Sequence, residues 1–315
     1  MKIVCLAGGV GGAKLAFGLA HVLPPADLTI VVNTGDDFTH LGLRISPDLD
    51  TVTYTLAGLA NPDTGWGLAG DTSATLDALE RLGAPSWFHL GDRDIATHLL
   101  RTQLLTQGMR LTEVTSRICE ALGVAPAVLP MTDDTFATRV VTDEGELDFQ
   151  DYFVRRRCEP RVARIIFAGG DTAQASGEVL RSLDEATGVV FAPSNPFVSV
   201  EPILSLPGVR ERIGRRAALA VSPIVGGQAI KGPAAKMLFE LGLDVSPAGV
   251  AVRYAGLIGG FVMDEVDAPL APSVAALGPS VRVAQTVMRS DAERESLARE
   301  CLAFLKGLRP ELGAS

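Results

Sequence analysis

Along the chain, short unbroken apolar runs alternate with longer stretches in which apolar residues recur every three to four positions. This is the signature of buried parallel strands joined by amphipathic helices. Residues 2–7, KIVCLA, read as a buried strand that runs into the turn Gly8-Gly9-Val10-Gly11-Gly12. From Ala13 to Leu23, the positions of Leu15, Leu19, Val22 and Leu23 predict a helix that Pro24-Pro25 stops. Residues 28–32 are a second strand. The strand pattern resumes at 164–168, 188–192 and 217–221, each ending in a loop with glycine or polar residues, and again at 261–264 and 281–284. A capping box, Ser290 to Glu293, opens a last helix that presents Leu297, Cys301, Leu302 and Leu305 to the core. Between residues 51 and 129 the signals are mostly helical, at 73–82, 94–107 and 111–122, and a short β-rich piece covers 137–149. The expectation is an α/β core built from residues 1–50 and 130–315, with a helical insertion, 51–129, packed on it.

The glycine turn stands at the carboxyl end of the first strand, where open α/β sheets bind ligands. Backbone amides of such a turn, feeding a helix start, suit phosphate, and Lys14 adds a positive charge. The pattern matches neither common fingerprint: Ala13-Lys14-Leu15 replaces Gly-Lys-Ser/Thr, and Lys14 occupies the place of the third glycine in G-x-G-x-x-G. Gly9, Val10, Gly11, Gly12 and Lys14 are the candidate phosphate site. The alternative is a turn that needs glycine only for its shape.

The second strand leads into VVNTGDDFTHLGLRISPDLDT, residues 31–51, which holds Asp36, Asp37, Asp48 and Asp50 around Arg44. Carboxylates this dense are costly unless a cation or ligand offsets them. Hard oxygens beside a pyrophosphate suit Mg²⁺, which takes one or two carboxylates and fills its shell with phosphate and water. Ser46-Pro47-Asp48 is a helix start, which leaves Asp48 equally readable as a first-turn acid.

Three further stretches carry candidate chemistry. In His89-Leu90-Gly91-Asp92-Arg93-Asp94, Arg93 offers a forked cation to a phosphate or planar ring, or pairs with a neighbouring acid; His98 reads as a helix-face residue. Ser194-Asn195, at the end of a buried strand, can read a base edge. Residues 222–236 place Gly226-Gly227, Lys231 and Gly232 before another helix, as a second wall for an anion or a plain connection.

Composition narrows the classes. A net charge of -9 argues against a general nucleic-acid surface, with Arg155-Arg156-Arg157 the one dense basic cluster. The four cysteines form no CxxC pair, which argues against a zinc site or disulfide framework, and Cys5 and Cys301 fall on apolar faces. Mean hydropathy is high, +0.26, but no apolar run is long enough to span a bilayer. The first residues enter a strand with no leader pattern, so a cytoplasmic, membrane-free protein is expected.

Taken together, GGVGGAK, VVNTGDD, ISPDLDTVTYTL, Trp66-Gly67, LGDRDIATHLLR, LPMTDD, FQDYFV, APSNPFVSVEPILSLPGVR and SPIVGG resemble the 2-phospho-L-lactate transferases of coenzyme F420 biosynthesis, in order from residue 1 to about 230 and more weakly beyond. The resemblance implies a Rossmann-like three-layer core, usually dimeric. It also implies Mg²⁺-dependent transfer of a phospholactyl, phosphoenolpyruvyl or 3-phosphoglyceryl group from a guanosine diphosphate-linked donor to the deazaflavin Fo, with release of GMP. By the same resemblance Asp50 and Arg93 bind Fo, and Asp36 with Asp50 binds the metal. The chemistry makes Asp50 or Asp36 the candidate catalytic carboxylate, as base or as metal ligand, and position in the fold alone puts Ser194-Asn195 near the guanine. Two other readings compete. One is a nucleotide-sugar-binding regulator of the related gluconeogenesis-factor family. The other is an NAD-dependent dehydrogenase, which the broken glycine fingerprint disfavours.

Overall fold

The computed structural model describes residues 1–308; residues 309–315, the end of the expected core span, lie outside the described residues. In chain order the elements are β1 (Ile3–Ala7), α1 (Gly9–Val22), β2 (Leu28–Val32), β3 (Phe38–His40), β4 (Leu43–Ile45), α2 (Pro47–Leu56), α3 (Ala74–Arg81), α4 (Asp92–Thr106) and α5 (Leu111–Ala121). Then come β5 (Ala127–Pro130), β6 (Ala137–Thr142), β7 (Gly145–Asp148), β8 (Val162–Ala168), α6 (Gly177–Glu185), β9 (Gly188–Phe191), α7 (Glu201–Ser205), α8 (Val209–Gly214) and β10 (Ala217–Val221). The chain closes with β11 (Ile224–Val225), β12 (Gln228–Ala229), α9 (Ala234–Glu240), α10 (Pro247–Arg253), β13 (Gly260–Asp264), α11 (Ala271–Ala275), β14 (Ser280–Ala284) and α12 (Asp291–Leu305).

Seven strands form one sheet in the order β14-β13-β10-β9-β1-β2-β5, and every pairing is parallel. The strands between its edges are apolar on both faces because helices cover both. One layer packs Leu15, Leu19, Leu49, Val52, Leu297 and Cys301 from α1, α2 and α12 against Cys5, Ile30 and Val190. The other packs Leu183, Ile203, Ile213, Leu238 and Val250 against Leu6, Phe191 and Ala220. Cys5 and Cys301 are fully buried, as expected. Strand order reverses between β1 and β9, and this switch point positions the site.

Four local readings change. The first helix begins at Gly9, not Ala13, so the glycine turn is largely its first turn. Gly9 tolerates the entry with φ +62°, while a Cβ on Gly11 would run into the Pro193 carbonyl. Residues 164–168 do not join the main sheet: β8 pairs antiparallel with β6, which also pairs with β7, in a separate three-stranded sheet. Its partly exposed face explains why an apolar run there is not a core strand. β5, unrecognised in the sequence, is a short edge strand ending at Pro130, which an edge tolerates. The hairpin β3–β4 was also unrecognised. It turns at Leu41 and Gly42 with φ +52° and +79°, the left-handed pair of a tight hairpin, and carries the chain from Asp37 back to Asp48. No helix among the described residues is long and apolar enough to cross a membrane.

Candidate active site

The carboxyl ends of β1, β2, β9, β10 and β14 open onto a cavity of about 660 Å³. Its floor is Gly8, Gly9, Val10, Gly11 and Lys14 with Asp36, Asp48 and Asp50, joined by Ser194, Asn195 and Ser222 from the later strand ends. Loops and the segment after β7 supply aromatic walls: Trp66, Trp87, Phe88, Phe149 and Phe153. Phe149 and Phe153 stack at 5.5 Å, and Trp87 stands edge-on to Phe88 at 5.7 Å. The cavity thus has a charged floor and flat apolar sides.

The floor is held from several elements. Ser194 Oγ accepts the Gly8 N–H at 3.0 Å and donates to the Gly8 carbonyl at 2.8 Å, locking the end of β1 to the loop after β9. Gly9 N–H donates to Asp48 Oδ1 at 2.7 Å, and Asn33 Nδ2 donates to Asp48 Oδ2 at 2.9 Å. Asp48 is therefore more than a first-turn acid of α2; it ties α2 to α1 and β2. Ser46 precedes α2 as expected, but its hydroxyl donates to Asp37 Oδ2 at 2.6 Å instead of capping the helix. Val10 and Gly11, in the first turn of α1, line the cavity, at the end of the helix where the N–H groups lack intrahelical partners and the dipole is positive. Lys14 Nζ donates to the Met288 carbonyl at 2.8 Å; burial, with Arg294 and Lys231 nearby, lowers its pKa.

The four acids fall into two groups. Asp36 is buried beside Asp48, its Oδ1 has no partner, and burial with the Asp48 charge pushes its pKa well above the carboxylate range. Burial pushes Asp48 up to about 6, against the Asn33 and Gly9 hydrogen bonds, and Asp37 up to about 8. Asp50 faces Arg101 instead: both guanidinium Nη groups reach its two carboxylate oxygens, one at 3.1 Å, and the Arg101 and Asp50 side chains are 3% and 9% exposed. Asp36 and Asp50, the expected metal pair, both line the cavity, Asp36 beside Asp48 and Asp50 against Arg101. Among the described residues no three His, Cys, Asp or Glu side chains converge as a metal cage. An unpartnered carboxylate oxygen next to a second carboxylate fits a Mg²⁺ that completes its shell with phosphate and water.

Of the residues expected from sequence, Gly9, Val10, Gly11, Lys14, Asp36, Asp50, Ser194 and Asn195 line this cavity. Gly12 lies behind it, packed on Ala7 and Ser194. Asn195 uses its Oδ1 on the Phe197 N–H at 2.9 Å, which caps the next turn. Arg93 stands outside the lining, half exposed, on the Ala69 carbonyl and Asp71. His98, read as a helix-face residue, is 2% exposed and lines the cavity with Tyr54 and Asp94. Arg101 was missed. The signal was present: Asp94, His98 and Arg101 recur at four and three residues, along one face of α4.

The family model for 2-phospho-L-lactate transferase CofD matches residues 3–296. A phosphoenolpyruvate transferase from Streptomyces coelicolor is 40% identical, over 98% of this chain and 99% of its own length. A 2-phospho-L-lactate transferase from Methanospirillum hungatei is 39% identical, over 96% of this chain and all of its own. Among solved structures, a member of the upf0052 family from Bacillus halodurans shares the fold, with TM-score 0.61 at 16% identity, covering 96% of this chain and 98% of that one. An α/β core with a seven-stranded parallel sheet, ending in this cavity, and full-length similarity to these transferases place the chain in the 2-phospho-L-lactate transferase family as an enzyme of group transfer.

Proposed function

We propose that the chain transfers a phospholactyl, phosphoenolpyruvyl or 3-phosphoglyceryl group from a guanosine diphosphate-linked donor to the deazaflavin Fo, releasing GMP, in a Mg²⁺-dependent reaction. The observation that carries this reading is the union, in one cavity, of a helix N-terminus and carboxylate pair with flat aromatic walls. The first part suits a diphosphate and its metal, the second a planar tricyclic ring. Family membership supports an enzyme over a nucleotide-sugar-binding regulator or a dehydrogenase.

In this reading the donor's diphosphate lies on the amides of Val10 and Gly11 with Lys14 beside it, and its nucleoside runs toward Ser194-Asn195. Asp36 and Asp48 would hold Mg²⁺, which neutralises phosphate charge when bound. The deazaflavin ring lies between the aromatic walls with its ribityl chain toward the floor. Asp50 orients the terminal hydroxyl and is placed to take its proton as the hydroxyl oxygen attacks phosphorus and GMP leaves. Positioning and charge neutralisation are most of what such chemistry asks of a protein. Titrating Fo fluorescence with the protein tests the reading: quenching or a shift that saturates supports it. An unchanged spectrum at high protein, with a UDP-sugar binding instead, would favour the regulator.

A further inference from the structure

Beneath Asp50 lies a buried chain of polar groups on α2 and α4. Arg101 Nη1 donates to Asp50 Oδ2 at 3.1 Å, lies 3.0 Å from His98 Nδ1 and also reaches the Arg44 carbonyl at 3.4 Å. Nη2 takes the other Asp50 oxygen. On its far side, His98 Nε2 is 3.2 Å from Asp94 Oδ2, off the ideal line, and Asp94 Oδ1 accepts the Tyr54 hydroxyl at 2.7 Å. A guanidinium only donates, so His98 Nδ1 must present its lone pair to Arg101 and carry its proton on Nε2, toward Asp94. Arg101 thereby fixes the ring's tautomer, the ring gives the guanidinium a further contact, and the guanidinium holds both oxygens of Asp50. Tyr54, Asp94 and His98 all border the cavity, so the chain ends where a ligand would lie.

We propose that His98 and Arg101 are positioning residues: they hold the Asp50 carboxylate in the orientation in which it meets the acceptor hydroxyl. The role of Asp50 rests on the function proposed above; the geometry that His98 imposes on Arg101 does not. An Arg fork holds a carboxylate plane that a Lys point charge cannot. A displaced carboxylate should lower turnover on the acceptor and spare donor binding, since the donor's contacts lie on α1 and the strand ends.

The test compares His98→Leu, His98→Asn and Arg101→Lys in the full chain. Replacement by Asn keeps an acceptor atom near the place of Nδ1, whereas Leu removes it. His98→Leu and Arg101→Lys should lower kcat/KM for the acceptor by roughly 10- to 100-fold, the cost of a misplaced group, with donor KM nearly unchanged. His98→Asn should restore most of the loss. A second readout needs no substrate: nitrogen NMR of the Arg101 guanidinium should show slowed rotation, with separate Nη signals, in the wild type and His98→Asn and averaged signals in His98→Leu. Averaged signals in the wild type, or identical behaviour of the Leu and Asn variants, would overturn the proposal. A wild type with the slowed guanidinium but no activity on Fo would instead overturn the proposed function alone.

Discussion

Arg101→Met gives the sharpest test of how the floor is built. The substitution conserves much of the side chain's length but leaves the Asp50 carboxylate, 9% exposed, without its guanidinium. Removing one partner of a buried pair strands a charge and costs about 3–5 kcal/mol, against about 0–1 kcal/mol for a pair in solvent. Two geometric facts place this pair in the first class: both oxygens of Asp50 are engaged, and Arg101 is 3% exposed. At about 2 °C per kcal/mol for a domain of this size, the melting temperature should fall by roughly 6–10 °C. The assay is urea and thermal unfolding monitored by circular dichroism, alongside Asp50→Leu and the double variant. Because Asp50→Leu removes the stranded charge, the double variant should recover at least about half the loss of Arg101→Met, a coupling measurable in a double-mutant cycle. A loss below about 1 kcal/mol for Arg101→Met, or strictly additive single losses, would refute the buried-pair reasoning.

Other consequences follow from the same geometry. Asp36→Asn removes a buried ionisable group beside Asp48; it should raise metal-free stability at pH high enough to ionise Asp36 and abolish Mg²⁺-dependent turnover, and full activity would remove Asp36 from the metal site. Asp48 and Asp37 have folded-state pKa values raised to about 6 and about 8, so their protonated forms favour the fold. The stability they contribute is present below the ordinary carboxylate range and lost as pH rises through those values. Melting of metal-free protein should show that loss, and Mg²⁺ should raise the melting temperature more at about pH 8 than at about pH 5.5; the reverse order would contradict it. Gly11→Ala should destabilise by about 1–3 kcal/mol because its Cβ meets the Pro193 carbonyl; a stability unchanged in urea unfolding would mean the loop gives way. Arg93→Ala should raise acceptor KM more than donor KM if the guanidinium leaves Asp71 for the acceptor, whereas unchanged steady-state constants would confine it to the surface pair seen here.

The sheet was legible because its central strands are apolar on both faces and its glycine turn and proline stops punctuate the first βαβ unit. The last helix could be read to its first residue: Ser290 Oγ accepts the Glu293 N–H at 3.3 Å, and Glu293 returns a bond from the Ser290 N–H at 2.8 Å. What failed were features set by partners distant in sequence. Residues 164–168 look like a core strand until β6 claims them as an antiparallel neighbour. The hairpin at 38–45 has only three residues a side, too few for periodicity, yet it decides which acids meet. Spacing alone shows four aspartates near one helix start; it cannot show that Arg101, fifty-one residues beyond Asp50, removes one of them from the pool of free charge. The aromatic walls come from segments with no common motif, and only the fold assembles them.

The central claim is the group transfer itself. Incubating the protein with Mg²⁺, Fo and each of the three guanylated donors, and weighing the products by mass spectrometry, addresses it directly. The account predicts GMP in amounts matching a new deazaflavin phosphodiester that carries the lactyl, enolpyruvyl or glyceryl group of one preferred donor, with neither product when Mg²⁺ is chelated. Unaltered Fo with all three donors and metal present, or GMP released without any modified deazaflavin, would contradict it.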